Sequence, residues 1–95
     1  MKYYCYILYS KLIDRYYIGE TEDIEKRLEL HNTGYFSGSY TSRTDDWTIY
    51  LIIECLSRKQ AIQIESHIKS MKSRKYIESL KRDKAKADKI RKKYE

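Results

Sequence analysis

The sequence predicts an α+β fold in which a small, largely antiparallel three-stranded sheet is flanked by helices, and three observations predict it. Two aromatic and β-branched runs, Tyr3 to Tyr9 and Arg15 to Gly19, are separated only by Lys11-Leu12-Ile13-Asp14 and its neighbour Ser10, the pattern of a β-hairpin. Apolar residues at Ala61, Ile64, Ile68 and Met71 recur at helical spacing. Between the hairpin and that helix, Thr48 to Cys55 is again strand-like. The resulting order, β-β-α-β-α followed by C-terminal helical segments, is that of a sheet covered by helices.

Each element has its own local reason. Thr21 is placed to cap a first helix, with Glu22 and Asp23 in its first turn and Ile24, Leu28 and His31 at helical spacing. Asn32-Thr33-Gly34 ends it. Tyr35 to Trp47 carries glycines, serines and threonines without a period and reads as a loop. Ser57 to Gln60 has the S-x-x-Q form of a capping box, which opens a second helix running from about Ser57 to about Lys72. Tyr76 to Leu80 suits a short helix. Residues 84–95 are rich in helix formers but show almost no apolar face, so the expected organisation is one domain over 1–83 and a basic helical tail over 84–95 that frays without a ligand.

At 95 residues there is room for one modest core and no second domain. The apolar runs are of strand length, far short of the roughly 20 residues of a membrane helix. No secretory leader precedes the first strand, which points to a cytoplasmic protein with no membrane role. Cys5 and Cys55 fall in strands, where reduced thiols act as small apolar side chains. The net charge of +6 is uneven: residues 1–56 hold 6 Lys+Arg against 9 Asp+Glu, and residues 57–95 hold 14 against 5. Such a basic half suits phosphate backbones, or is simply a solvated face. Most of the 11 tyrosines are expected in core and sheet surface, since the ring buries and the hydroxyl keeps a polar contact.

Tyr4-Cys5-Tyr6, Tyr17-Ile18-Gly19 and Arg27 together resemble the signature of the GIY-YIG nuclease superfamily. Ile24 to Leu28, His31-Asn32 and Tyr40-Thr41 extend the resemblance to its small stand-alone members, of the UPF0213 type or like the N-terminal nuclease domain of an excinuclease. The likeness spans roughly residues 3 to 80. Tyr4 stands where the first glycine of the nominal motif would be, and the asparagine that many relatives place a helix beyond the glutamate is replaced by the stretch Tyr76-Ile77-Glu78.

The resemblance implies a metal-dependent endonuclease, with Tyr6, Tyr17, Arg27, His31 and Glu65 as catalytic residues, Gly19 as a structural motif residue, and Glu65 as the ligand of Mg²⁺ or Mn²⁺. The residues are consistent with those roles. Arg27 and His31 are four apart and share a helix face. A guanidinium suits a phosphate that gains charge in a transition state, although Arg27 could equally pair with Glu20 or Glu25. Glu65 sits on the rim of an apolar stripe, and a single carboxylate is enough for a hydrated Mg²⁺; a helical pair with Lys69 explains it as well. A tyrosine could act as general base or only position the attacking water while the metal activates it. Lys69, Lys72, Arg74 and Lys75 are the candidate nucleic-acid-binding residues. DNA is a more natural substrate than RNA, with structure-selective cleavage in repair, recombination or processing, and a dimer or protein partner would supply specificity. The competing reading is a non-catalytic nucleic-acid-binding module that uses the basic half alone.

Overall fold

The computed structural model describes residues 2–34 and 40–95. Strands β1 (Tyr3–Ser10), β2 (Arg15–Thr21) and β3 (Thr48–Cys55) form one antiparallel sheet in the order β2-β1-β3. Helix α1 (Ile24–Asn32) follows the hairpin, and α2 (Arg58–Met71), α3 (Arg74–Arg82) and α4 (Lys84–Lys93) follow β3. The α+β class and the three-stranded sheet are those expected. Within the segment read as a loop, residues 35–39 lie outside the described residues, and Tyr40–Arg43 forms one turn of 3-10 helix.

The central strand is covered on both faces, which explains its almost unbroken apolar and aromatic character. Cys5 and Ile7 face a core built with Ile53, Cys55, Ile64 and Leu80, whereas Tyr6 and Leu8 pack with Trp47 on the other side, against Tyr17, Ile24 and Leu28. Period-two alternation along β1 therefore sends its tyrosine and its cysteine to different compartments. Both cysteines are buried and free. Burial of each large side chain contributes about 1.5 to 3 kcal/mol. The register slips between Ile7 and Leu8, which pair with Leu51 and Ile49, so Tyr50 is an extra residue at a bulge. Its carbonyl accepts a hydrogen bond from Lys81 Nζ at 2.7 Å.

The hairpin closes on Asp14, whose φ of 52° lies in the left-handed region. Aspartate tolerates that conformation better than most residues. Its carboxylate accepts from Tyr9 Oη at 2.6 Å and from both terminal nitrogens of Arg74, at 2.6 and 3.2 Å.

The start of α1 differs from the sequence reading. Helix α1 is capped by Asp23, whose side chain accepts from the Lys26 N–H, and not by Thr21. Thr21 ends β2 instead, and its hydroxyl accepts from the Asp23 N–H. In α2, Ser57 is the cap as expected, accepting from the Gln60 N–H at 3.1 Å. Gln60 does not return to the cap residue: its Oε1 accepts from the Leu56 N–H, and its Nε2 donates to the Arg91 carbonyl.

That last bond belongs to the main correction. Residues 84–95 were expected to lack a docking face, but α4 buries Ala87 and Ile90 in the same core as Cys5 and Ile64. Two apolar residues three apart make a narrow stripe that is easily missed among the lysines. At the end of α4, Tyr94 Oη lies 2.9 Å from His67 Nδ1, and His67 Nε2 lies 3.0 Å from Tyr76 Oη. His67 thereby ties α2 to both later helices.

Candidate active site

The hairpin register sets Tyr6 directly opposite Gly19, and alternation puts Tyr17 on the same face two residues earlier. Gly19 lies within β2 rather than at its end, and its role is to make room. A Cβ built there would stand 2.5 Å from Tyr6 Oη and 2.7 Å from its Cζ. The phenol thus lies across the missing side chain, a close packing that only glycine permits.

Helix α1 brings His31 to this phenol. Tyr6 Oη is 3.0 Å from His31 Nε2, and His31 Nδ1 is 2.8 Å from Thr41 Oγ1. A neutral imidazole has one donor and one acceptor nitrogen, so the set is satisfied when the phenol donates to Nε2 and Nδ1–H donates to the threonine. The Tyr17 ring packs 4.9 Å from the His31 ring and 6.3 Å from that of Tyr6. Asn32 holds the neighbouring wall: its amide donates to the Trp47 carbonyl and accepts from the Trp47 N–H, while the indole donates to the Thr41 carbonyl.

Electrostatics follow from burial. Desolvation pushes the Tyr6 phenol well above the usual tyrosine range, helped by Tyr17 and by the charges of Glu65 and Glu20, with Arg27 opposing. Burial and then the Arg27 charge push His31 down to about 4, so it is neutral at pH 7. Arg27, one turn before His31 on α1, is half-buried and lines a cavity of about 230 Å³ with Thr21, Lys26, Leu30 and Arg58. Glu65, half-buried on α2, accepts from Lys69 Nζ at 2.6 Å. The charges of Arg27 and Glu65, from two different helices, thus both act on the Tyr6 phenol.

The chain belongs to the GIY-YIG family. The model of the GIY-YIG catalytic domain matches residues 2–77. The fold is also similar to the solution NMR structure of a UPF0213 protein from Bacillus halodurans, with a TM-score of 0.52 and 29% identity over 84% of this chain and 82% of that one. No curated protein matches the chain. Membership places the chain in a nuclease family whose members generally act with a divalent metal on nucleic acid.

Of the residues expected at a GIY-YIG site, the structure brings Tyr6, Tyr17 and His31 into contact across Gly19, with Arg27 and Glu65 in electrostatic reach. The four basic residues at the end of α2 are placed differently. Lys69 is paired with Glu65, Lys72 is the left-handed C-cap of α2, and Lys75 is exposed. Arg74 is committed to Asp14 and lies 5.1 Å over the Tyr16 ring. Glu78, in the stretch that lacks the family's asparagine, accepts from Tyr16 Oη at 3.2 Å. Sequence reasoning missed Glu20 as a site neighbour: it pairs with Arg58 at 3.5 Å, and its charge also reaches Tyr6. Alternation along β2 sets it on the face opposite Tyr17, and its pairing with Cys5 follows from the hairpin register.

A divalent cation at this site would have to be a hard, hydrated one, held by a single carboxylate that now accepts from Lys69. Glu65 offers carboxylate oxygens at the edge of the buried cluster, and among the described residues no group of three His, Cys, Asp or Glu converges. Mg²⁺ and Mn²⁺ accept such a site because water and phosphate oxygens complete their shell. Among the described residues no helix is long and apolar enough to cross a membrane.

Proposed function

We propose that this chain is a cytoplasmic endonuclease that hydrolyses phosphodiester bonds in DNA with Mg²⁺ or Mn²⁺, in repair, recombination or processing. The observation that carries this reading is the buried Tyr6 phenol bonded to the neutral imidazole of His31 from α1, with the charges of Arg27 from α1 and Glu65 from α2 acting on the same phenol.

Glu65 would hold the metal, which supplies Lewis-acid polarisation of the phosphate and of water. Lys69 shares that carboxylate, so its ammonium would move aside. Arg27 stabilises the charge that grows on the phosphate. Burial keeps Tyr6 protonated, which favours the role of positioning over that of a standing phenolate base. With its proton donated to His31 Nε2, the Tyr6 oxygen keeps lone pairs that accept a hydrogen bond from the attacking water. As the water proton reaches Tyr6, the phenol proton passes to neutral His31. Tyr17, packed on the imidazole, closes that side of the cluster.

The test is cleavage of plasmid, linear and branched DNA in Mg²⁺ or Mn²⁺ by wild type and Glu65→Gln. Divalent-dependent cleavage by the wild type alone supports the reading. The tight Glu65–Lys69 pair favours the rival binding module, in which the carboxylate is a structural ion pair. That rival expects no cleavage by either protein and unchanged binding in the variant.

A further inference from the structure

Helix α4 carries a second basic surface, remote from the phenol cluster. A cavity of about 600 Å³ opens where α4 meets α2 and α3, with Lys86, Lys89, Lys92 and Lys93 around it, Ile90 in its floor, and His67 and Tyr76 along its side. Among the described residues, none that lines it is acidic. Lys89, Lys92 and Lys93 are exposed. The Lys86 ammonium lies 4.5 Å over the Tyr76 ring, and Lys93 lies 5.5 Å over that of Tyr94. The surface is held rigidly, because His67 bonds both tyrosines and Gln60 bonds the Arg91 carbonyl.

Its position relative to the phenol cluster follows from the fold. Tyr6 and Tyr17 lie on the sheet face that packs with α1, whereas Ile90 packs into the core on the other face. Glu65 and His67 are two apart on α2, so they point about 200° apart around its axis, by the helical period. A straight duplex seated on one face does not reach the other, because duplex DNA is stiff on the scale of a small domain. An unpaired strand turns such a corner freely. Four ammonium groups over an apolar and aromatic floor also match what single strands offer, phosphates for the rim and base surfaces for the floor.

We propose that the cavity between α2, α3 and α4 is a second nucleic-acid site, one that binds an unpaired strand through Lys89 and Lys92 while the phenol cluster engages the strand to be cut. The inference rests on the nuclease reading for its second clause only. It is tested by binding in chelator, where no cleavage occurs, so its outcome does not depend on activity.

A fluorescent single strand of about 30 nucleotides, long enough to span several binding sites, and a duplex of the same length are titrated with the full chain and with the Lys89→Gln/Lys92→Gln variant across a series of salt concentrations. Both lysines are exposed, and Lys89→Gln alone provides a milder second variant. Expected are a roughly tenfold weaker single-strand affinity for the double variant, a salt slope smaller by about 1.4, since each lost phosphate contact on a single strand removes about 0.7, and a smaller change for duplex. Unchanged single-strand affinity and slope in both variants would overturn the site, as would an equal loss on duplex. Equal binding of wild type to vesicles rich in anionic phospholipid, lost in the same variants, would assign the surface to a membrane instead. If lysine effects persist while no form of DNA is ever cleaved, the second site stands and the nuclease reading falls.

Discussion

The Tyr6 hydroxyl and His31 Nε2 lie 3.0 Å apart between the central strand and α1, both side chains almost fully buried. The burial of His31, with the charge of Arg27 beside it, makes folding sensitive to acid. His31 is pushed from 6.5 down to about 4, so the unfolded chain binds its proton more readily than the folded one. Stability from this group is complete above about pH 6.5 and is lost as the pH falls toward 4. The shift corresponds to at most about 3 kcal/mol. Urea unfolding at about pH 7 and about pH 4.5, on either side of most of that window, should show the loss, and His31→Gln should flatten that part of the profile.

Gly19→Ala should disturb the phenol directly. The new Cβ meets the Tyr6 hydroxyl and the ring carbon that bears it, and because that side chain is rigid and buried, overpacking of this kind costs about 1 to 3 kcal/mol. Denaturant melts of Gly19→Ala, Tyr6→Leu and the double variant check this. The alanine should be much less harmful once the ring has gone, and additive losses would show that the clash is not with Tyr6.

Arg27 can be probed without any cleavage. Its charge opposes protonation of His31, so in Arg27→Ala the imidazole should titrate at higher pH than in wild type, as followed by NMR of the His31 ring protons. If the site reading holds, cleavage should fall in the same variant by two orders of magnitude or more, as loss of about 3 kcal/mol of transition-state stabilisation requires. An unmoved His31 titration would place the guanidinium elsewhere in solution.

Removing residues 84–95 should destabilise the whole domain, since it uncovers the core around Ile64 and Leu80 and leaves Gln60 and His67 without their α4 partners. Ile90→Ala alone should cost about 2 to 4 kcal/mol, and Tyr94→Phe about 1 kcal/mol. Thermal unfolding of the three variants gives the ranking, truncation being the worst. A truncated chain with the wild-type midpoint would restore the view of this segment as an undocked tail.

The hairpin, helices α1 and α2 and the third strand were legible because hydrophobic period and capping chemistry agree there. The meeting of Tyr6, Tyr17 and His31 was legible mainly through the family resemblance, since composition alone cannot say which of many tyrosines face one another. The docking of α4 was not legible: Ala87 and Ile90 are too few to raise a clear period above their basic neighbours. The cap of α1 was misplaced by two residues because Thr21 and Asp23 are both good caps, and the sheet claimed Thr21 for the end of β2. The pairing of Glu20 with Arg58 was not legible because Arg58 lies far along the chain, and only the packing of α2 on β2 brings them together.

Strand β1 occupies the middle of the sheet, so it is synthesised before both of the strands that pair with it. Strand β1 can zip to β2 at once, but one of its edges stays unpaired until β3 is made, and one of its faces stays uncovered until α2 and α4 arrive. Contacts so distant in sequence form late and slowly. The nascent hairpin is therefore an open, sticky edge on the ribosome, and the face that carries Tyr6 and the core on the other side should lock together in a single cooperative step once residues near Ile90 have emerged.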